Sequence, residues 1–350
     1  MQPCGTFSSD YAQDMAIIRT RTQWALAIIG LVVLFTLPLY CSDPMLSRIN
    51  SLAIMVVAVL GLMILTGYAG QINLGQAAFV CVGAYSSALM VTRLGLPFWI
   101  AMPLSGLSAG LVGLIFGLPS LRVKGFYLAM TTLAAQFIIP TLISHVRTDI
   151  TGGGKGLIVP PPYFGNEPLS TQTEMFFVII TTVVILTFVA KSLVRGPIGR
   201  AFVAIRDNEL AAESMGINVF RYKLLAFFIC SFFAGISGSL WAHWLRVINY
   251  DLLTIMESIW YLGMIIIGGM GSITGAIIGS IFVYGLDQGL TWGAHEVGDV
   301  LTGLPVTLPA AIRLMVFGIV IILFLAFEPR GLNHRWEVFK AAYRLTPFSY

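Results

Sequence analysis

Gly199–Lys223 reads GRAFVAIRDNELAAESMGINVFRYK and stands between two long apolar segments. It is the longest strongly polar run so placed. Six basic residues crowd it and its near flanks: Lys191, Arg195, Arg200, Arg206, Arg221 and Lys223. The pattern predicts a short helix within it. Asp207 or Asn208 caps the start, because a short side-chain oxygen accepts a free backbone N–H there. Glu209 and Glu213 fall early, where the helix dipole favours negative charge. Gly216 fits the left-handed residue that ends such a helix. Leu210, Ala211, Ser214 and Met215 recur at i, i+1, i+4 and i+5 and form one narrow, small and apolar face. Two turns of helix build no core of their own. Two readings therefore stand side by side: the face docks into another protein, or the stretch is a solvated loop.

The surroundings decide what kind of chain carries this loop. Of 350 residues, 57% are hydrophobic and 10% charged, with a mean hydropathy of +0.87. A soluble domain carries about a quarter charged residues. Apolar runs long enough to span a bilayer recur throughout, which predicts a polytopic, all-α transmembrane helical bundle. Ten spans are expected, at about Trp24–Tyr40, Ile49–Leu65, Ala77–Thr92, Pro97–Leu118, Gly125–Ser144, Met175–Ala190, Leu224–Trp244, Ser258–Ile267, Ile273–Leu290 and Leu308–Phe327. The first is read as a retained anchor, since a long polar stretch precedes it and no clear cleavage site follows.

Placing the N-terminus inside puts 14 of the 20 basic residues on the inner side. Arg48, Arg93, Arg147, Lys155, Arg246 and Arg313 remain outside. Lys and Arg accumulate on the cytoplasmic side, so this orientation is favoured, with both termini and the 195–223 loop in the cytoplasm. The net charge of +4 is small and does not indicate nucleic-acid binding.

Several classes of chemistry find no support. The four cysteines and four histidines are scattered, without metal spacing or a disulfide framework. Gly152–Lys155 is the nearest approach to a nucleotide loop, but its spacing is wrong. No catalytic constellation, metal site or cofactor motif is readable. If transport is ATP-driven, the ATPase is another chain.

Thr66–Gln76 is the second informative break. Gly67, Gly70 and Gly75 interrupt the helix, while Gln71, Asn73 and Gln76 bring uncharged hydrogen-bonding groups between apolar segments. Irregular backbone at membrane depth is tolerated where protein or a water-filled cavity surrounds it, and broken helices line transporter paths. Gly70, Gln71, Asn73, Gly75 and Gln76 are therefore the substrate-pathway candidates. The competing reading is a tight turn at the inner surface. Gly268–Gly275 is a parallel case, read chiefly as close helix packing. Ala234, Gly235, Ser237, Gly238 and Ser239 read as a helix–helix contact face. Glu257 and Asp287 are placed at the membrane edge, in solvated or capping roles. Trp241, Trp244, Trp260 and Trp292 fit an outer interfacial belt.

Six stretches occur in order: GYAGQINLGQAAFVCVGAY, RVKGFYLAMTTLAAQ, TGGGKGL, RDNELAAESMGINVFRYKLLAF, ESIWYLGMIIIGGMGS and FEPRGL. As an ordered set they resemble the permease family of branched-chain amino-acid ABC importers, the LivM-like branch, over about Trp24 to Leu332. The resemblance implies the fold of the BtuC-like superfamily of sugar and branched-chain amino-acid permeases. It divides the chain into a cytoplasmic segment at 1–23, a permease domain at 24–332 and a cytoplasmic tail at 333–350. It implies a bacterial inner-membrane protein in contact with the lipid bilayer. Its partners would be a homologous second permease, two cytoplasmic ATP-binding subunits and an external substrate-binding protein. It makes Asp207–Gly216 the coupling helix that enters an ATPase cleft. The coupling residues would be Arg206, Asp207, Asn208, Glu209, Leu210, Ala211, Ala212, Ser214, Met215 and Gly216.

The cargo implied is a branched-chain amino acid. Relatives with the same framework carry urea, short amides or aromatic acids. A different class, an ion-coupled secondary transporter, would need ionisable groups deep in its spans, and none is evident there.

Overall fold

The computed structural model describes residues 21–121, 125–145, 151–153, 156–164, 167–300, 308–328 and 330–345. Most of the segment expected over 1–23 lies outside these, as do Arg122, Lys124, Arg147, Lys155 and the tail beyond residue 345.

The chain is a helical bundle. Its elements are α1 (Arg21–Thr36), α2 (Asp43–Leu62), α3 (Gln76–Leu94), α4 (Phe98–Gly117), α5 (Phe126–His145) and α6 (Gln172–Arg195). There follow α7 (Pro197–Asp207), α8 (Glu209–Ser214), α9 (Val219–Leu245), α10 (Ile255–Gly268), α11 (Ile273–Val300), α12 (Leu308–Phe327) and α13 (Gly331–Leu345). Each of the ten expected spans is met by a helix. Among the described residues eight helices are long and apolar enough to cross a membrane, and nine if the bent α12–α13 pair counts as one span. α1 falls short, with an apolar stretch of only Trp24–Leu39.

The centre of the bundle is α9, which packs on α4, α3 and α2. Small residues make this possible. A Cβ on Gly83 of α3 would overlap the backbone of Gly235, and one on Gly238 would meet Val80 and Ala84. The helices thus touch backbone to backbone, as the paved face of α9 predicts. The seam also holds hydrogen bonds: Ser87 Oγ to Ser239 Oγ at 2.7 Å, and Ser237 Oγ donating to Ile54 O at 2.8 Å. Outward faces are apolar, as in Leu107, Leu111 and Ile115 of α4, the arrangement lipid contact demands.

The two ends of the bundle differ. One is closed by backbone pairing between distant segments. Strand β1 (Leu157–Ile158) pairs antiparallel with β4 (Val247–Ile248), beside a small hairpin of β2 (Tyr163–Phe164) and β3 (Glu167–Pro168). Arg246 Nη2 donates to Ser170 O at 2.7 Å, and Trp99 Nε1 to Tyr163 O at 3.1 Å. α6 leaves this end through a capping box between Thr171 and Glu174.

The other end carries α7, α8, α13 and the α10–α11 turn. There Gly268 packs against Gly275 and Gly279, while Gly269 and Gly271 hold φ of 106° and 88°. The glycine run is therefore a turn as well as a packing surface. α13 continues past the expected domain end at 332. It is docked by a hydrogen bond of 2.8 Å from Thr274 Oγ1 to Asn333 Oδ1.

Two expectations about single residues fail. Trp260 is not in an interfacial belt; it is buried and stacked on Phe317 with centroids 3.8 Å apart. Asp287 is not solvated at an edge but 8% exposed within α11.

Candidate functional site

The polar run around residue 207 is more helical than a loop with one short helix. α7 is an amphipathic helix opened by Pro197, which suits a first turn because its missing N–H is not needed there. It buries Ala201, Phe202 and Ile205, spaced i, i+1 and i+4. Phe202 meets Tyr222 of α9 edge to face at 6.2 Å. The sequence reading overlooked this helix, although its apolar periodicity was a signal for it.

α8 is shorter than the expected Asp207–Gly216. Asp207 closes α7, and Asn208 is the cap, its Oδ1 accepting from Ala211 N at 3.1 Å. Gly216 has φ of 85°, and its N–H and that of Ile217 return to the carbonyls of Glu213 and Ala212. Ala212 is buried beneath α8. Leu210, Ala211, Ser214 and Met215 face outward, with Leu210 at 76% and Met215 at 83% exposure. A two-turn helix with two large apolar side chains in solvent presents a docking face. Glu209 fastens α8 to α9 through Lys223, Oε1 to Nζ 2.6 Å, with the lysine almost wholly buried.

Gly67–Gln76 is not a surface turn. α2 runs on into a π-helical turn, Met63–Tyr68, whose next residue Ala69 donates to Ile64 O at 3.1 Å. Single π turns inside α-helices concentrate at functional sites. Gly70, with φ of 69°, then reverses the chain, and Gln71–Gly75 climbs back into the bundle without helix. Gln76 at its end donates from Nε2 to Ala58 O at 2.8 Å. Ala58 lies nine residues before Gly67, so the segment has risen about 14 Å at 1.5 Å per helical residue.

At that depth no backbone group can be left to water. Asn73 Oδ1 accepts from Gly75 N at 2.8 Å, and Asn73 Nδ2 donates to Gln76 Oε1 at 3.1 Å. Cys230 of α9 donates to the same Gln76 oxygen at 3.1 Å. Neighbouring helices satisfy the start of α3. Leu74 N donates to Thr132 Oγ1 at 3.0 Å, Ala77 N to Ser258 Oγ at 2.9 Å, and Ala78 N to Gln136 Oε1 at 2.9 Å. Gly75 lies so close to the Thr132 carbonyl that a Cβ has no room.

Among the pathway candidates, then, Asn73, Gly75 and Gln76 join one buried hydrogen-bonded knot. Gly70 lies exposed at the reversal. Gln71 is 3% exposed, and neither its Oε1 nor its Nε2 has a partner. Sequence alone did not single out Thr132 and Gln136, and it marked Ser258 only at the start of a span, not as a partner of α3. Two polar residues four apart in an apolar span, Thr132 and Gln136, were the available signal.

The two regions meet at a cleft of about 260 Å³ lined by Gly70, Gln71, Arg206, Asp207, Glu209 and Lys223 among others. Arg206 Nη1 donates to Gly67 O at 2.9 Å, and its Nε and Nη2 donate to Asp207 Oδ1 at 3.2 and 3.1 Å. Among the described residues no group of His, Cys, Asp and Glu could hold a metal ion.

The family model described as branched-chain amino acid transport system / permease component matches residues 45–325. The chain is 35% identical over 248 residues to the high-affinity branched-chain amino acid transport system permease protein LivM of Escherichia coli (strain K12). That alignment covers 64% of this chain and 58% of the relative. It is 25% identical over 302 residues to the probable branched-chain amino acid transport permease protein LivM of Methanocaldococcus jannaschii, covering 76% and 86%. To the LivH permease of the same organism it is 26% identical over 229 residues, covering 62% and 70%. The chain thus spans less than two thirds of the length of the Escherichia coli relative it matches. No solved structure matches.

Proposed function

The chain belongs to the branched-chain amino acid transport system permease family, and from that premise we propose that it is the permease subunit of an ATP-driven importer. It forms half of the path that carries branched-chain, hydrophobic amino acids across a bacterial inner membrane. The observation that carries the reading is α8: capped by Asn208, ended by Gly216, and turning Leu210, Ala211, Ser214 and Met215 away from the bundle. Among the described residues nothing covers this face, and it suits a groove on an ATPase.

The partners follow from the same reading. Two ATP-binding subunits hydrolyse ATP at the α8 end, and an external binding protein delivers substrate to the end closed by β1 and β4. A homologous second permease completes the path; the likeness to both LivM and LivH proteins supports two related subunits of this kind. Gly70, Gln71, Asn73, Gly75 and Gln76 belong to the path, with Gln71 the side chain free to meet a substrate. Both termini and the α8 end face the cytoplasm, in keeping with the bias of Lys and Arg.

Two experiments test this. In reconstituted liposomes supplied with the binding protein, Ala211→Arg puts bulk and charge onto the docking face. The expected results are loss of the ATPase chains on purification and loss of substrate-stimulated hydrolysis. Retention of both makes α8 a plain loop and sinks the proposal. For sidedness, a cysteine at Ser214 should react from the cytoplasm and one at Thr171 from outside. Reaction of both from one side defeats the ten-span arrangement. Uptake of radiolabelled leucine set against urea and an aromatic acid fixes the substrate class.

A further inference from the structure

The cleft between α8 and the re-entrant segment contains a junction that the docking face does not explain. Arg206 is the last basic residue of α7, yet its guanidinium turns toward the bundle and not toward the face that would meet an ATPase. Its Nη1 holds the carbonyl of Gly67, inside the π turn that ends α2. Its other side is fixed by Asp207, with Nε and Nη2 both on Oδ1.

Three glycines from two other segments close round it. A Cβ on Gly70 would sit 2.7 Å from Arg206 Cγ, and one on Gly271 would sit 3.3 Å from Nη1. Gly67 in turn lies against Gly271, where a Cβ would come within 2.7 Å of the Gly271 nitrogen. Gly271 N donates to Met63 Sδ at 3.3 Å. The end of α2, the reversal at Gly70 and the α10–α11 turn therefore all converge on one guanidinium.

The linkage to α8 is equally short. Asp207 ends α7 and Glu209 begins α8, so a single residue joins the two helices: Asn208, extended in backbone and tied to α8 by its cap. At the far end of α8, Gly216 provides a turn in open space. A push on α8 therefore reaches α7 and Arg206 through Asn208, alongside the Glu209–Lys223 tie to α9. What Arg206 holds is the π turn that follows α2, just before the non-helical stretch Ala69–Gly75, and turns of this kind concentrate at functional sites.

We propose that Arg206 is a positioning residue that transmits displacement of α8 to the re-entrant segment, by gripping the Gly67 carbonyl and carrying the buried Asn73–Gln76 knot with it. This rests on the transport reading given above and assigns the link within it. Arginine suits the task because its planar fork can hold a carbonyl on one nitrogen while a carboxylate fixes the opposite edge. A lysine ammonium is a single point and cannot do both in one plane.

The test uses the whole complex, purified through a tag on this chain and reconstituted in liposomes. The readout is the number of leucine molecules imported per ATP hydrolysed. The variants are Arg206→Met, Arg206→Lys and, from the opposite wall, Gly271→Ala. Arg221→Met, an exposed basic residue on α9, is the control. The expected result is a complex that keeps its ATPase chains and hydrolyses ATP, but whose import per ATP falls about tenfold in Arg206→Met, the factor that one charge-assisted hydrogen bond carries. Arg206→Lys should fall less, and Arg221→Met should match the unmodified chain. Import per ATP unchanged in Arg206→Met overturns the link. Loss of the ATPase chains from Arg206→Met and Arg206→Lys alike also overturns it, since Arg206 would then be a docking residue. An unmodified complex with no substrate-dependent hydrolysis removes instead the transport reading beneath it.

Discussion

Two interruptions of the apolar sequence, Gly67–Gln76 and Pro197–Asn218, resemble each other in composition. Each breaks an apolar run with polar residues and a left-handed glycine, Gly70 or Gly216, and each joins two long helices. Their structures are opposite. In Gln71–Gln76 the polar side chains turn inward, and Asn73 and Gln76 spend their hydrogen bonds on the chain itself. In α8 the buried Ala212 and the Lys223–Glu209 pair hold the helix down, while its apolar face points outward. The difference is depth. At mid-bundle an unpaired amide has no water to turn to, so its partners must come from α2, α5, α9 and α10. At the bundle end water is available, and Leu210 and Met215 stay uncommitted.

That contrast can be broken first at Gln76. Gln76→Leu strips Asn73 Nδ2 and Cys230 Sγ of their shared acceptor and should cost roughly 1–3 kcal/mol. It should lower the unfolding midpoint of the purified protein in detergent, followed by tryptophan fluorescence. An unmoved midpoint means the buried knot is not what holds the segment. Gly216→Val attacks the other region, forcing a branched side chain to the 85° φ at about 1–2 kcal/mol. That strain is local. Hydrogen exchange should speed up in α8 while the global midpoint stays in place, and a global shift would mean that α8 belongs to the core.

Gln71→Met sharpens the comparison by its sign. Removing a buried amide with two unpartnered atoms should stabilise the chain by about 1 kcal/mol and yet reduce transport. A fall in stability would mean that Gln71 has partners the fold does not display. The smallest expected effect is Leu210→Ser, which should change stability by less than about 0.5 kcal/mol while weakening retention of the ATPase chains. Full retention would remove Leu210 from the docking face.

Much of this was legible because membrane helices write themselves plainly. The ten apolar segments, the small face of α9 and the cap and stop of α8 rest on local rules that the bundle does not override. The inward fold of residues 71–76 could be suspected but not placed, since nothing local distinguishes a surface turn from a segment climbing beside Ala58. Gln136 and Ser258 matter only because two distant helices bring them to the start of α3. Trp260 misled because its residue type favours interfaces, whereas its position in α10 sets it against Phe317. The grip of Arg206 on Gly67 spans 139 residues, and no spacing announces it.

The central place of α9 has a consequence for how the protein is made. Ribosomes deliver α2, α3 and α4 to the membrane first, but the helix they surround begins only at Val219. Until then Gly83 of α3 lacks the Gly235 backbone, the α4 glycines lack the α9 side chains they press against, and Ser87 and Gln76 await Ser239 and Cys230. The β1–β4 ladder, too, must wait for Val247. The first half of the chain is therefore inserted well before it is folded. Nascent chains halted short of residue 219 should be prey for membrane proteases and insertase-bound chaperones, whereas those that have released α9 into the bilayer should escape them together, in one step.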